Sequence, residues 1–472
     1  MSRVSDILAF VMSKLRTGFC AWVILLGVVV LADPVVPLVK EIQYRAASMV
    51  RAFGVPSASI AVIQEDKLLW AGAFGSADLA SGRAASSDTR YAVGSISKQF
   101  TAAALLLEQE RGKVSLNDTV SKYFPEFTRS NEVTIRELLS HTSGYEDYAP
   151  QDYLIPEWTQ PTTPEAILNR WAKKPLNFEP GTQWQYSNTN YVLAAAILEK
   201  VSGEKLLAFL NENFFQPLGM TSAGDCELHS AADAAAYTRY ALGPPRPVGR
   251  EANGWYFGAG ELCMTAPDLA KWDIAFLSKK ILSGQSYGEF TREVKLKNGK
   301  GTQYALGLDV AESDGTPMIF HSGEVSGFLA ENIIYPTKGL GVIVLSNEDG
   351  VNLIGPLSHE LTGLLLNPPN SEAQKQDDEV RAILLSLQQG QIDRALFSDN
   401  ANSYFTDVAL QDYRDSLQKL GSLQVLIRQR EQQRGGMTHL SYRAHFQNDS
   451  VLLNIYILPN GKFEQFLVEE AF

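Results

Sequence analysis

Gly94-Ser95-Ile96-Ser97-Lys98-Gln99-Phe100 runs directly into Thr101-Ala102-Ala103-Ala104-Leu105-Leu106-Leu107. The second half is apolar, rich in alanine and poor in β-branched residues, which predicts a buried helix. Ser95 and Lys98 are three positions apart, so on the first turn of that helix they share a face. A serine hydroxyl there lies within reach of an amine able to take its proton. The first-turn N–H groups, which lack intrahelical acceptors, face an incoming carbonyl. This is the serine–lysine form of an activated nucleophile. Spacing alone does not single it out, because Ser202-Gly203-Glu204-Lys205 and Ser416-Leu417-Gln418-Lys419 repeat it. The surroundings of Ser95 decide.

A length of 472 residues implies about two or three domains, and a hydrophobic fraction of 45% supplies an ordinary globular core. The net charge of −12 argues against nucleic acid or an anionic membrane surface as the main partner. No nucleic-acid motif, phosphate loop or His-Glu-x-x-His zinc pattern is found. At the N-terminus Lys14 and Arg16 precede an apolar run from Phe19 to Ala32, 14 residues that stop at Asp33-Pro34. The run is short of the ~20 residues that span a bilayer. Residues 1–32 therefore read as a signal peptide cleaved after Val30-Leu31-Ala32, and the chain as periplasmic or secreted. A start at Met12 would make the signal more ordinary. The competing reading is an uncleaved segment that anchors the chain to a membrane. Cys20 falls inside this stretch. Cys226 and Cys263 remain, either as one disulfide or as two buried thiols, and two cysteines do not make a disulfide scaffold.

Further along, Leu38 to Phe53 reads as a helix. Ser57–Gln64 and Lys67–Phe74 read as strands joined by a tight turn at Glu65-Asp66. Val133–Leu139 is a short helix closed by the turn Ser140-His141-Thr142-Ser143-Gly144, in which His141 reads as structural. Residues 150–280 are mostly helical or irregular. Strands return at Tyr304–Val310, Met318–His321, Glu331–Tyr335 and Gly341–Ser346, and a helix follows at Ile354–Leu366. The order predicts an α/β (α+β) domain over 38–366, with early and late strands in one antiparallel sheet flanked by helices, plus a helical lobe. Residues 367–377 read as a linker. Residues 378–472 read as a small α+β domain: helices Asp378–Leu387 and Asp412–Leu420, then four strands from Leu423 to Glu469. Its layout resembles the cystatin-like or nuclear-transport-factor-like superfamily. Arg428, Arg430 and Arg434 read as a solvated strand face rather than a site for an anionic polymer.

Two further stretches carry chemistry. In Gly181-Thr182-Gln183-Trp184-Gln185-Tyr186-Ser187-Asn188, Tyr186 and Asn188 are two apart and point the same way in an extended segment. A phenol beside a lysine relays a proton, and an amide orients a carbonyl or holds the lysine. In His321-Ser322-Gly323-Glu324, at a strand end, Gly323 admits a close approach to the backbone, and the N–H of Glu324 is a second oxyanion donor.

Taken in order, Ser95/Lys98, Tyr186/Asn188 and His321–Glu324 resemble the motifs of the serine β-lactamase-related family of class C β-lactamases, low-molecular-weight penicillin-binding proteins, D-aminopeptidases and esterases. Pro56–Val62, Leu138–Gly144 and Ala259–Leu269 match its habits too. The resemblance implies a β-lactamase/transpeptidase-like fold and a hydrolase that works through an acyl-serine and needs neither metal nor organic cofactor. Ser95 would be the nucleophile, Lys98 and Tyr186 the acid–base pair, Asn188 the substrate-positioning amide, and the N–H groups of Ser95 and Glu324 the oxyanion hole. Substrates would be a small ester or a peptide or amide containing D-amino acids, cell-wall fragments included. One departure bears on substrate: β-lactamases carry Lys-Thr-Gly where this chain has His321-Ser322-Gly323, followed by Glu324. A neutral imidazole beside a carboxylate is a poor host for an anionic penicillin. The alternatives are a penicillin- or peptidoglycan-fragment-binding protein without turnover, and a true β-lactamase.

Overall fold

Ser57–Gln64 and Leu340–Ser346 are apolar along nearly their whole length, as strands covered on both faces must be. They pair antiparallel, with Ala61 opposite Ile343, although almost 300 residues separate them. In the computed structural model, which describes residues 35–228, 230–313, 315–366 and 371–470, they are the centre of a seven-stranded sheet. Its order is Arg83–Ala84, Lys67–Asp78, Ser57–Gln64, Leu340–Ser346, Phe328–Tyr335, Thr316–Val325 and Asp309–Ser313, with every neighbouring pair antiparallel. Glu65 and Asp66 both take positive φ (52° and 57°), as a two-residue hairpin turn requires.

Helices cover both faces. Consecutive residues of a strand point to opposite sides. Glu331 meets Ser358 and His359 of helix Ile354–Leu366, whereas Asn332 reaches Asp273 of helix Ala266–Leu277. Helix Val35–Phe53 lies beside Ile354–Leu366 through an Arg45–Glu360 ion pair. The serine helix, Ser97–Glu110, is buried at nearly every position and packs against helix Asn188–Ser202 in the helical lobe.

Two local expectations need correction. The strand expected over Tyr304–Val310 runs instead from Asp309 to Ser313. The chain turns at Gly307 (φ +74°), where a β-carbon would lie 2.8 Å from the Lys98 carbonyl oxygen. Residues 371–377 of the expected linker are the first turns of helix Ser371–Gln388, and 367–370 lie outside the described residues. Those turns carry good helix formers without an apolar stripe, so periodicity is blind to them. Asp377, within them, accepts hydrogen bonds from Arg428 and Tyr442. Arg428 is therefore ion-paired and largely covered rather than solvated.

The C-terminal residues form a four-stranded antiparallel meander, Leu423–Arg434, Met437–Phe446, Ser450–Ile457 and Phe463–Glu470, with its own apolar cluster. Tyr44 of helix Val35–Phe53 touches it, donating to the Gln424 carbonyl. Cys226 and Cys263 are paired as a disulfide, Cα–Cα 4.9 Å. Among the described residues no helix is long and apolar enough to cross a membrane. The 1–32 segment lies outside them.

Beneath the serine helix, Gln99, Asn332, Trp272 and Asp273 form a buried polar network. Burial pushes the Asp273 carboxyl up to about 8, and its second oxygen has no partner. A carboxyl whose pKa is higher folded than unfolded stabilises fully below its unfolded value, near 4, and that contribution is lost as pH rises towards 8. Asp273→Asn should therefore gain stability relative to wild type steadily between pH 5 and 8, by up to ~1.4 kcal/mol per pH unit. Urea unfolding at several pH values checks this, and a pH-independent difference between the two proteins would refute it.

Candidate active site

Ser95 sits in a short 3-10 turn, Gly94–Ile96, immediately before the α-helix that begins at Ser97. Lys98 follows within the first turn and is completely buried. Its Nζ lies 2.9 Å from Ser95 Oγ, 2.8 Å from Asn188 Oδ1 and 2.8 Å from the Ala259 carbonyl oxygen. Two of these neighbours can only accept. A neutral amine has two hydrogens and one lone pair, so it satisfies both carbonyls and leaves the lone pair directed at the serine hydroxyl. Burial lowers the Lys98 pKa to about 7, against a smaller opposing pull from Asp147. The amine is thus substantially neutral near pH 7.

The orientation of Asn188 is set from behind. Its backbone N–H donates to Asp147 Oδ1 at 2.9 Å and its Nδ2 to the same carboxylate, which turns Oδ1 towards Lys98. The loop carrying Ala259 is clamped by the serine helix itself: Ser97 Oγ accepts from Leu262 N–H, and Thr101 Oγ1 donates to the Gly258 carbonyl. Sequence reading missed Asp147 and the role of this loop. Asp147 follows the Ser143-Gly144 turn by three residues and belongs to no spaced motif, so only the fold reveals it.

Tyr186 is half-buried, its hydroxyl covered and its ring 4.9 Å from Lys98 Nζ. Its hydroxyl faces Ser95 but makes no hydrogen bond of good geometry, and burial raises its pKa above the ordinary phenol value. It remains an O–H at neutral pH. His321 is buried, with Nδ1–H donating to the Ser322 carbonyl and Nε2 accepting from Tyr304 Oη at 2.9 Å. Burial, reinforced by Lys98, lowers its pKa to about 3, so it is neutral.

Gly323 does admit a close approach, but of the protein's own backbone. A β-carbon there would lie 1.9 Å from the Val93 carbonyl oxygen and 3.1 Å from Ser95 N. Gly94 (φ +50°) is its counterpart, with a β-carbon position 2.7 Å from Glu324 N. The two glycines let the backbone around Ser95 N and Glu324 N come close together. Ser95, Tyr186, Asn188, His321 and Glu324 all line one cleft of about 680 Å³. Tyr148, Trp158, Trp184 and Trp255 give it aromatic walls, and its lining contains five carboxylates and no Lys or Arg. Burial holds the Asp309 carboxyl up at about 7; burial with Asp152 and Asp349 nearby does the same for Glu324. Among the described residues no three His, Cys, Asp or Glu side chains are grouped to hold a metal ion.

A family profile described as Beta-lactamase matches residues 46–361, well over half of the chain. The chain belongs to the Beta-lactamase family. That family places it among the serine hydrolases, and the sheet, flanking helices and helical lobe agree. The chain is 28% identical over 331 residues to a D-aminopeptidase of Brucella anthropi, an alignment that takes in 67% of this chain and 60% of that enzyme. It is 27% identical to penicillin-binding protein 4* of Bacillus subtilis, over 68% of this chain and 75% of that protein. Among solved structures, a D-stereospecific amidohydrolase from a Streptomyces species superposes with TM-score 0.59 at 25% identity, covering 69% of this chain and 97% of that one. An octameric penicillin-binding protein homologue from Pyrococcus abyssi superposes with TM-score 0.61 at 21% identity, over 91% of this chain and 99% of that one. At that identity the likeness is one of fold.

The paired glycines make a specific demand. Gly323→Ala should force the strand off Val93–Ser95 and slow fluorophosphonate labelling of Ser95 by about 10²-fold, the usual cost of losing one oxyanion donor. Labelling rates measured by intact mass check it; an unchanged rate would mean that the approach of these two backbones is irrelevant to reactivity.

Proposed function

We propose that this protein is an exported serine hydrolase that acts through an acyl-serine on a small ester, or on an amide or peptide containing D-amino acids. The observation that carries the reading is Lys98 Nζ, buried, 2.9 Å from Ser95 Oγ and 2.8 Å from each of two carbonyl oxygens, which in the neutral amine take its hydrogens and leave the lone pair for Ser95 Oγ. In this reading Lys98 takes the Ser95 proton as Oγ bonds to the substrate carbonyl carbon. The N–H groups of Ser95 and Glu324 hold the resulting oxyanion. When the tetrahedral species collapses, Tyr186 gives its proton to the departing amine or alcohol and is reprotonated from Lys98. Water then attacks the acyl-serine by the same route in reverse and frees the acid. Asn188 holds Lys98 and meets the substrate amide, and His321 stays neutral beside Ser322.

The cleft's charge supports a substrate class. Five carboxylates and no Lys or Arg repel a substrate carboxylate and favour an ammonium. A free-amine amide or ester fits better than a penicillin or a peptide C-terminus, in keeping with the D-aminopeptidase among the relatives. Penicillin or a cell-wall fragment that acylates Ser95 without release would instead support the binding-protein reading. Rapid turnover of a cephalosporin would support a β-lactamase.

Intact-mass spectrometry during turnover of p-nitrophenyl acetate is the test. An acyl adduct on Ser95, lost in Ser95→Ala, with steady release of nitrophenol, is the expected outcome; full activity in Ser95→Ala would sink the proposal. Because Lys98 must be neutral and its pKa is about 7, kcat/KM should rise with pH through about 7. For substrate class, Glu324→Gln should raise KM for D-alanine amide by about tenfold while changing p-nitrophenyl acetate little, since one ammonium–carboxylate contact is worth about that factor. Equal effects on both substrates would remove the charge argument.

A further inference from the structure

We infer that His141, which reads from sequence as a structural turn residue, is a positioning residue for Tyr186. The inference rests on the role given to Tyr186 above and extends it to a residue that touches no substrate.

The segment that carries Tyr186 is extended and short of hydrogen bonds of its own, so something must hold it against Lys98. His141 does so at three successive residues. Its carbonyl oxygen accepts from Gln185 N–H at 3.0 Å. Its Nδ1 accepts from Ser187 N–H at 3.1 Å. Its ring lies against the Tyr186 ring, centroids 4.2 Å apart and 32° between planes. The residues on either side of the tyrosine are pinned, and its ring is backed by a flat surface.

Two features show what this arrangement costs. His141 has φ +59°, a left-handed conformation that a β-carbon opposes. Its Nε2 is buried without a hydrogen-bond partner, which is unfavourable for any polar atom. A residue serving only to fill the core would carry neither, whereas together they let one residue turn its carbonyl and its ring onto the same segment. Because Nδ1 accepts from a backbone N–H, its hydrogen must lie on Nε2, so the ring is neutral. Burial, with Lys98 and His321 facing it, holds it so. A neutral ring can accept from Ser187 N–H; an imidazolium has no lone pair left to do it.

The experiment is a double-mutant cycle on the full chain with p-nitrophenyl acetate, using His141→Phe, Tyr186→Phe and the double variant, with melting temperatures alongside. Phenylalanine keeps the ring face against Tyr186 and removes the acceptor for Ser187 N–H. Tyr186→Phe should lower kcat by about 10²-fold. His141→Phe should lower kcat by about tenfold with KM nearly unchanged, and should cost less than about twofold once Tyr186 is already phenylalanine. His141→Asn should restore most of the rate, since its side chain tolerates positive φ and offers an oxygen to Ser187 N–H. Equal losses with and without the Tyr186 hydroxyl would overturn the inference, because a general structural role acts in both backgrounds. So would a fully active His141→Phe. Should His141→Phe fail to fold, the cycle is read with His141→Gln under the same criteria. Failure of the underlying reading looks different: Tyr186→Phe alone would then turn over at the wild-type rate, and the inference would fall with it.

Discussion

A lysine side chain with no access to water organises this molecule. Removing an ammonium from water is costly enough that Lys98 sheds part of its charge instead, and the amine that results needs two acceptors for its hydrogens. Those acceptors come from far along the chain, Asn188 and the carbonyl of Ala259, so the helical lobe must close over the serine helix before either is in place. Asn188 is turned the right way only because Asp147 takes its amide hydrogens. Ala259 is presented only because Ser97 and Thr101, neighbours of Lys98 on the same helix, clamp residues 258–262. Each of these contacts depends on the others, and the reactivity assigned to Ser95 depends on all of them.

Backbone proximity imposes a second condition. The turn at Gly94–Ile96 and the strand at Gly323–Glu324 approach so closely that neither glycine could carry a β-carbon. Strand Tyr91–Ala92, just before the turn, pairs with Leu262–Met264, which pairs in turn with Gly224–Asp225 and is tied to Cys226 by the disulfide. The serine turn is therefore held between the large sheet on one side and this three-stranded piece on the other. A nucleophile fixed from both sides loses little freedom when substrate arrives, which is the general advantage of a preorganised site.

The charges around the site have a common sign. Apart from Lys98 beneath its floor, the cleft holds carboxylates, and burial or mutual repulsion raises Asp309 and Glu324 towards neutrality. Carboxyl groups held in that condition are relieved by a cation rather than an anion. The replacement of a lysine by His321 in the third motif points the same way: burial and Lys98 keep this imidazole neutral, so it offers an anionic substrate nothing.

The order of the motifs, the central strands and most of the C-terminal meander were legible in the sequence, because they rest on local rules. A three-residue spacing puts Ser95 and Lys98 on one face, period-two and continuous apolar runs mark strands, and Gly and Asn mark turns. The strand misplaced at Tyr304 and the first turns of helix Ser371–Gln388, read as linker, failed where local rules are silent: a turn at Gly307 packed on the Lys98 carbonyl, and a polar helix start held by Asp377's contacts with Arg428 and Tyr442. Gly323 was legible as a close-approach residue, yet not what it approaches. Asp147 and the hold of His141 on Gln185 and Ser187 were invisible, since they join segments about 40 residues apart without a spaced pattern. The sequence by itself determined which chemical groups are available and in what order. Only the tertiary structure decided that Lys98 is partly neutral at pH 7, that His141 is uncharged, and that the cleft is acidic. Protonation depends on desolvation and on neighbours brought from elsewhere in the chain, and neither is written in local spacing.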